Sequence, residues 1–112
     1  MLRLLPLAML LALPLSAQAQ LANYCNGRLQ LNDTTTQATP SGMEYYATVR
    51  NISGAVVSAN VLYRGALTDK VSGNLRFNPG TATRIRLGRQ TPGSPRLLQN
   101  QIIQDLLVNN CS

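Results

Sequence analysis

Histidine and tryptophan are absent from this chain of 112 residues, phenylalanine occurs once, and only four residues are acidic. Each absence removes a class of chemistry. Without histidine the commonest general base and metal ligand is missing, and a serine triad on the usual plan cannot be assembled. The carboxylates, Asp33, Glu44, Asp69 and Asp105, fall in four different stretches and form no recurring motif. No run of alternating acids suits calcium, and no cysteine or histidine set suits zinc. The chain is therefore read as a non-enzyme, with no catalytic residue, no cofactor and no metal ligand. Two carboxylates brought together by folding would make a glycosidase-type pair, so a small hydrolase stands as the remote alternative.

Long apolar runs are also missing, except at the start. Leu4 to Leu15 is apolar and broken only by Pro6 and Pro14; Met1-Leu2-Arg3 precedes it and Ser16-Ala17-Gln18-Ala19 follows. A short positive start, an apolar core and an Ala-x-Ala site describe a secretory signal cleaved after Ala19. That core of about a dozen residues falls short of the ~20 that a bilayer span needs, which weighs against a retained anchor. Residues 1–19 are read as signal peptide and 20–112 as the exported domain, with no transmembrane segment after cleavage. The bulky Tyr24 before Cys25 argues against lipidation there. The expected location is extracytoplasmic, a bacterial-type periplasm or the extracellular space.

A single domain of about 93 residues buries only about two thirds of its unfolded surface, so its stability is marginal without help. Two cysteines, Cys25 and Cys111, are available. In an oxidising compartment an even count favours pairing, and an internal bond between these two would close nearly the whole chain. It requires the two Cα atoms to lie within ~7 Å. A free thiol pair and an intermolecular bridge are the competing readings.

After Ala19, nine basic residues face four acidic ones, a charge near +5, and eight of the nine are arginine. This balance fits anionic partners and also keeps a small exported protein soluble. Nucleic acid is a poor fit: single-strand readers expose aromatic side chains, whereas alternation turns Tyr45, Tyr63 and Phe77 inward and leaves Tyr46 and Tyr24.

Period-two patterns dominate the middle of the chain. "MEYYATVRN" (43–51) places Tyr45, Ala47 and Val49 on one face; "AVVSANVLYR" (55–64) does the same with Val57, Ala59, Val61 and Tyr63. Two half-buried strands are expected, paired as a hairpin through the intervening turn, with Val49 opposite Val57 and Ala47 opposite Ala59. A second hairpin is expected over "NLRFNPGTATRIRLGR" (74–89), turning at Pro79-Gly80 with Leu75 opposite Ile85 and Arg76 opposite Arg84. Arg76, Arg84, Arg86, Arg89 and Arg96 are then candidate anion-binding residues, one stripe if the hairpin and the helix start are neighbours. The plain alternative is a solvated outer face that discourages edge pairing.

At the ends the signals change. Leu29 and Leu31 mark a strand around 27–32, and "NDTTTQATPSG" reads as a loop or as a frayed edge strand ended by Pro40. Beyond "RQTPGSPR", Ser94-Pro95 offers a helix start, and Leu98, Ile102 and Leu106 lie four apart with Ile103 and Leu107 alongside. A helix over about 95–108 is expected, with a terminal strand near 106–111 as the competing reading.

Through "EYYATVRNISGAVVSANVLYRG" and "NLRFNPGTATRIRLG" the chain resembles small extracytoplasmic β-sandwich domains of the immunoglobulin and fibronectin type. The resemblance rests on "VRNIS" (49–53) ending one strand and "RFNPGT" forming a later turn. It implies a mainly β domain, an immunoglobulin-like sandwich of about six or seven strands, here with a C-terminal α-helix. It carries no functional residues, because fold does not imply function. The expected function is that of a non-enzymatic binding or accessory module, acting through protein–protein or envelope contacts. The alternative is a binder of lipopolysaccharide, phospholipid or acidic polymer through the arginine stripe. Oligomeric state is left open.

Overall fold

The computed structural model describes residues 20–112, so the signal-peptide reading of 1–19 lies outside the described residues. Alternation names the buried faces correctly. Leu29, Leu31, Tyr45, Ala47, Val49, Val57, Ala59, Val61, Tyr63, Phe77, Ile85 and Leu87 are all buried and belong to one continuous core.

Among the described residues seven strands and one short helix carry those faces: β1 (Ala22–Tyr24), β2 (Leu29–Thr39), β3 (Gly42–Asn51), β4 (Val57–Tyr63), β5 (Ser72–Phe77), β6 (Ala82–Gln90), α1 (Gln99–Asp105) and β7 (Leu106–Asn109). They form two antiparallel sheets, β1-β2-β3-β6 and β5-β4-β7, whose inner faces share the core. Mainly β structure is as expected.

The neighbours of the strands differ from expectation. β3 does not pair with β4: it lies between β2 and β6, while β4 lies between β5 and β7. Val49 and Val57 therefore face each other's sheet across the core instead of standing side by side. β5 and β6 are likewise in different sheets, so Leu75 is opposite Ala59 and Ile85 opposite Ala47. The expected like-charge pair does not form, because Arg76 is opposite Ser58 and Arg84 opposite Thr48. The physical reason is simple. A period-two pattern states which face is buried, and that face is satisfied equally by a neighbour in the same sheet or by one ~10 Å away across the core.

Two of the three crossings between the sheets, β3 to β4 and β5 to β6, meet at Asn51, which is fully buried. Its side-chain amide donates to the Ala55 carbonyl at 2.8 Å and the Phe77 carbonyl at 2.9 Å, and its side-chain oxygen accepts from the Ser53 N–H and hydroxyl at 2.9 and 2.7 Å. Its main chain accepts from Gly80 N–H and donates to the Thr81 carbonyl, both at 2.9 Å. The motif "VRNIS" thus marks a change of sheet, with every polar group of the asparagine satisfied.

The helix is shorter than the expected 95–108 and begins at Gln99. Leu97 is held out of it, since its N–H donates to the buried Tyr45 hydroxyl at 2.9 Å. At the other end Leu106, Leu107 and Val108 pair with Tyr63, Leu62 and Val61 of β4. The competing terminal strand therefore takes the last turn of the expected helix. Completing a sheet over the core outweighs the helical preference of a short segment.

Cys25 and Cys111 are bonded, with Cα atoms 5.7 Å apart across 86 positions of sequence. Cys25 lies in the turn between β1 and β2, where Cys25, Asn26 and Gly27 all have positive φ. The bond ties this turn of the first sheet to the end of β7 in the second. Ser58 and Ser112 extend the β4–β7 pairing with reciprocal main-chain bonds of 3.1 and 2.8 Å.

Candidate functional site

Three of the five candidate arginines share one surface. Arg84, Arg86 and Arg89 project from the outer face of the first sheet, opposite Thr48, Tyr46 and Glu44 of β3. Strict alternation would turn Arg89 inward. A bulge in β6 near Leu87–Gly88 shifts the parity, so Arg89 joins the outer face and Gln90 turns inward. Glycine is required there: Gly88 has φ +153°, and a Cβ would press into the Leu67 side chain and the Thr68 carbonyl. Arg76 lies on β5 in the other sheet, and Arg96 in the connection before α1, so the structure does not gather the five into one stripe.

The three that do gather are largely engaged. The Arg84 guanidinium stacks 3.7 Å from the centre of the Tyr46 ring. Arg86 reaches the Glu44 carboxylate at 3.5 Å, and Arg89 reaches Asp69 at 3.6 Å. The Tyr46 hydroxyl donates to Glu44 at 2.6 Å. That hydrogen bond, with Arg86 beside it, holds the Glu44 carboxyl below its ordinary pKa, and the same bond raises the Tyr46 phenol. Arg50 is exposed on this face too. These are solvent-screened surface pairs and contribute little to stability.

The carboxylates lie on four different elements, Asp33 on β2, Glu44 on β3, Asp69 in the β4–β5 connection and Asp105 at the end of α1; Arg86, which reaches Glu44, also donates to the Asp69 carbonyl at 3.3 Å. Among the described residues no cluster of three or more His, Cys, Asp or Glu side chains could hold a metal ion. No helix of the described residues is long and apolar enough to cross a membrane.

A second surface was not foreseen. β1 covers β2 only at Leu29–Leu31, pairing Ala22 with Leu31, Asn23 with Gln30 and Tyr24 with Leu29. From Asp33 to Thr39, β2 pairs with β3 on one side and, among the described residues, with no strand on the other. A bulge between Leu31 and Asp33 reverses the parity here, so Thr34 and Thr36 take the register positions opposite inward-facing Ala47 and Tyr45. Residues 96–99 run beside this bare stretch. Arg96 donates to the Thr36 hydroxyl at 2.7 Å, and Gln99 donates to the Thr34 hydroxyl at 3.0 Å. Between them lies a groove of about 390 Å³ lined by Thr34, Thr36, Arg96, Leu97, Leu98 and Ile102.

The wall of the groove is anchored from the core. Tyr45 hydroxyl donates to the Gln90 side-chain oxygen at 2.5 Å while accepting from Leu97 N–H, and the Gln90 amide donates to the Pro95 carbonyl at 2.9 Å. Both side chains are buried. The bulge that turns Arg89 outward also turns Gln90 inward to make this tether. The sequence held one pointer to the groove, the Thr-rich run closed by Pro40.

No family model, curated protein or solved structure matches the chain. The described residues form two antiparallel sheets about one core, with one disulfide joining them.

Proposed function

We propose that the chain is an exported, non-enzymatic binding module that works through protein–protein contacts, and that its two sheets form a β-sandwich of the immunoglobulin type. The observation that carries this reading is the bare half of β2. Main-chain donors and acceptors of alternate residues there point away from β3, and among the described residues no strand receives them; beside them lies a groove with a polar and apolar lining. An open edge of this kind binds extended polypeptide by adding a strand. Glu44 and Asp69, already held by arginines, are poorly placed to act as a hydrolytic pair, which supports the non-enzymatic reading.

The test uses a photo-reactive residue at Gln37, exposed beside the bare edge, and a second at Asn74, exposed on β5, in the native envelope. A discrete protein adduct from position 37 and none from position 74 is expected. Equal adducts from both positions, or none from either, overturn the reading.

A second reading has its own observation: Arg50, Arg84, Arg86 and Arg89 share an outer face. A binder of anionic surfaces would be retained on heparin or anionic vesicles, with retention fading as salt rises. Retention unchanged by the joint substitution of Arg84→Ala and Arg86→Ala ends that reading.

A further inference from the structure

The bare edge has a chemical bias. Arg96 is exposed, fixed beside β2 by its bond to Thr36, and has no ion-pair partner among the described residues. Leu98, two residues on, is 62% exposed, more than Leu21, Ile52 or Val56. A cation and an apolar side chain therefore stand along the same wall of the groove, beside a stretch of β2 that has no second neighbour among the described residues.

We propose that this edge receives an extended segment of a partner protein carrying a carboxylate and an apolar side chain two residues apart, the carboxylate against Arg96 and the apolar group against Leu98. The proposal rests on the binding-module reading and names the chemistry of its partner. An added strand bonds to the alternate main-chain groups of 33–39 that β3 leaves unused. Its side chains on the groove side recur every ~6.7 Å, the spacing of Thr34 and Thr36 along β2. Those two threonines hold Gln99 and Arg96, so adjacent groove-side positions of the guest meet the polar and apolar parts of one wall. On its other face the guest lies beside Asp33, Thr35 and Gln37, where a second acid is disfavoured by Asp33.

A second copy of this chain is a poorer guest. Antiparallel β2–β2 pairing centred on Thr36 brings two Arg96 guanidiniums to the same side, while the only acid of the strand, Asp33, sits on the opposite face. Like charges meet and nothing offsets them.

The experiment uses the disulfide-bonded protein and the peptide acetyl-Ser-Val-Thr-Asp-Thr-Val-Ser-amide, in which Val, Asp and Val share one face. Amide exchange read by NMR should slow within 33–39 on peptide addition. Replacing Asp by Lys in the peptide should weaken binding about fivefold, and Arg96→Glu should invert that preference. Alternate N-methylation of the peptide backbone should abolish binding to both proteins. Arg96→Gln, which keeps a donor to Thr36 without the charge, should bind both peptides equally. No protection at millimolar peptide, or protection on another strand, overturns the edge as the docking place. Protection within 33–39 that ignores both charge changes overturns the carboxylate–Arg96 pairing and leaves the edge reading standing. Slow exchange at 33–39 without peptide, with a doubled mass in sedimentation, assigns the edge to a second copy and overturns the proposal. The adduct from position 37 is independent of any peptide, so failure here and failure of the binding-module reading are told apart.

Discussion

The two halves of β2 are made of one strand and live in different surroundings. At Leu29–Leu31 the strand has β1 on one side and β3 on the other, two leucines sunk in the core, and a turn with a disulfide at its mouth. At 33–39 it has β3 alone, side chains of threonine and glutamine, and a groove where the next strand would be. The difference shows that coverage in a small domain is concentrated. The sulfur bridge secures one end, and side-chain hydrogen bonds of Tyr45, Gln90, Arg96 and Gln99 tether what lies over the other.

Removing the bridge strikes hardest at this contrast. In the loop-entropy description, closing a loop of this length stabilises the fold by about 4–5 kcal/mol, and removal of a native bond in a small exported domain costs ~2–5 kcal/mol. Replacing Cys25 and Cys111 together by alanine should lower the denaturation midpoint accordingly and speed amide exchange first at Leu29–Leu31. An unchanged midpoint would mean the covered half is held by packing alone.

Two buried tyrosines sharpen it next. Tyr45 has its hydroxyl fully used by Gln90 and Leu97, whereas the Tyr63 hydroxyl, on the opposite sheet, has no partner among the described residues. Tyr45→Phe should cost ~1–3 kcal/mol, because it strands a buried acceptor and the Leu97 N–H. It should also loosen 95–98 over the bare half, seen as faster exchange there. Tyr63→Phe should leave stability within about 0.5 kcal/mol of the parent or raise it, since no bond is lost. Equal losses in urea titrations of the two variants would contradict this asymmetry.

Alkaline pH extends the same pair. Burial first, then the nearby Asp105 charge, pushes the Tyr63 phenol up to about 12 from an ordinary 10.0. Below pH 10 both states keep the proton and its stabilisation is fully present. As pH rises from 10 towards about 12 the unfolded chain loses the proton before the folded one does, so stability falls. The advantage of Tyr63→Phe over the parent should therefore grow across that interval, measured as the gap between their denaturation midpoints. A gap independent of pH would refute it.

The smallest effect lies on the bare half. Thr35→Ala, outward and exposed, should change stability by less than ~0.5 kcal/mol, while Leu31→Ala four positions earlier should cost ~2–5 kcal/mol. Comparable losses would show that the edge is covered after all.

Much of this fold is legible in the sequence. The residues that alternation turns inward on β3, β4 and β6 are buried in the core, and Cys25 is bonded to Cys111. What the pattern does not carry is the identity of each neighbour. Val49 and Val57 are apolar for the same core, and nothing in their spacing distinguishes a shared sheet from facing sheets. Bulges are equally silent. One extra residue near Gly88 brings Arg89 out and Gln90 in, and another near Asn32 turns Thr34 towards the interior; no local composition announces either. The arginine cluster and the groove depend on both bulges and on strand order, which is why three arginines gather where five were expected. The helix was partly legible: Ile102 is buried as its spacing implies, but Leu106–Asn109 answers to a distant strand.

Asn51 ties together two connections that are far apart in the chain. Because residues 52–56 and 78–81 are bonded to the same asparagine, they cannot be redesigned separately. A graft that lengthens one should be felt as disorder in the other, so anyone using this scaffold for display has, at that end, one composite loop to work with instead of two.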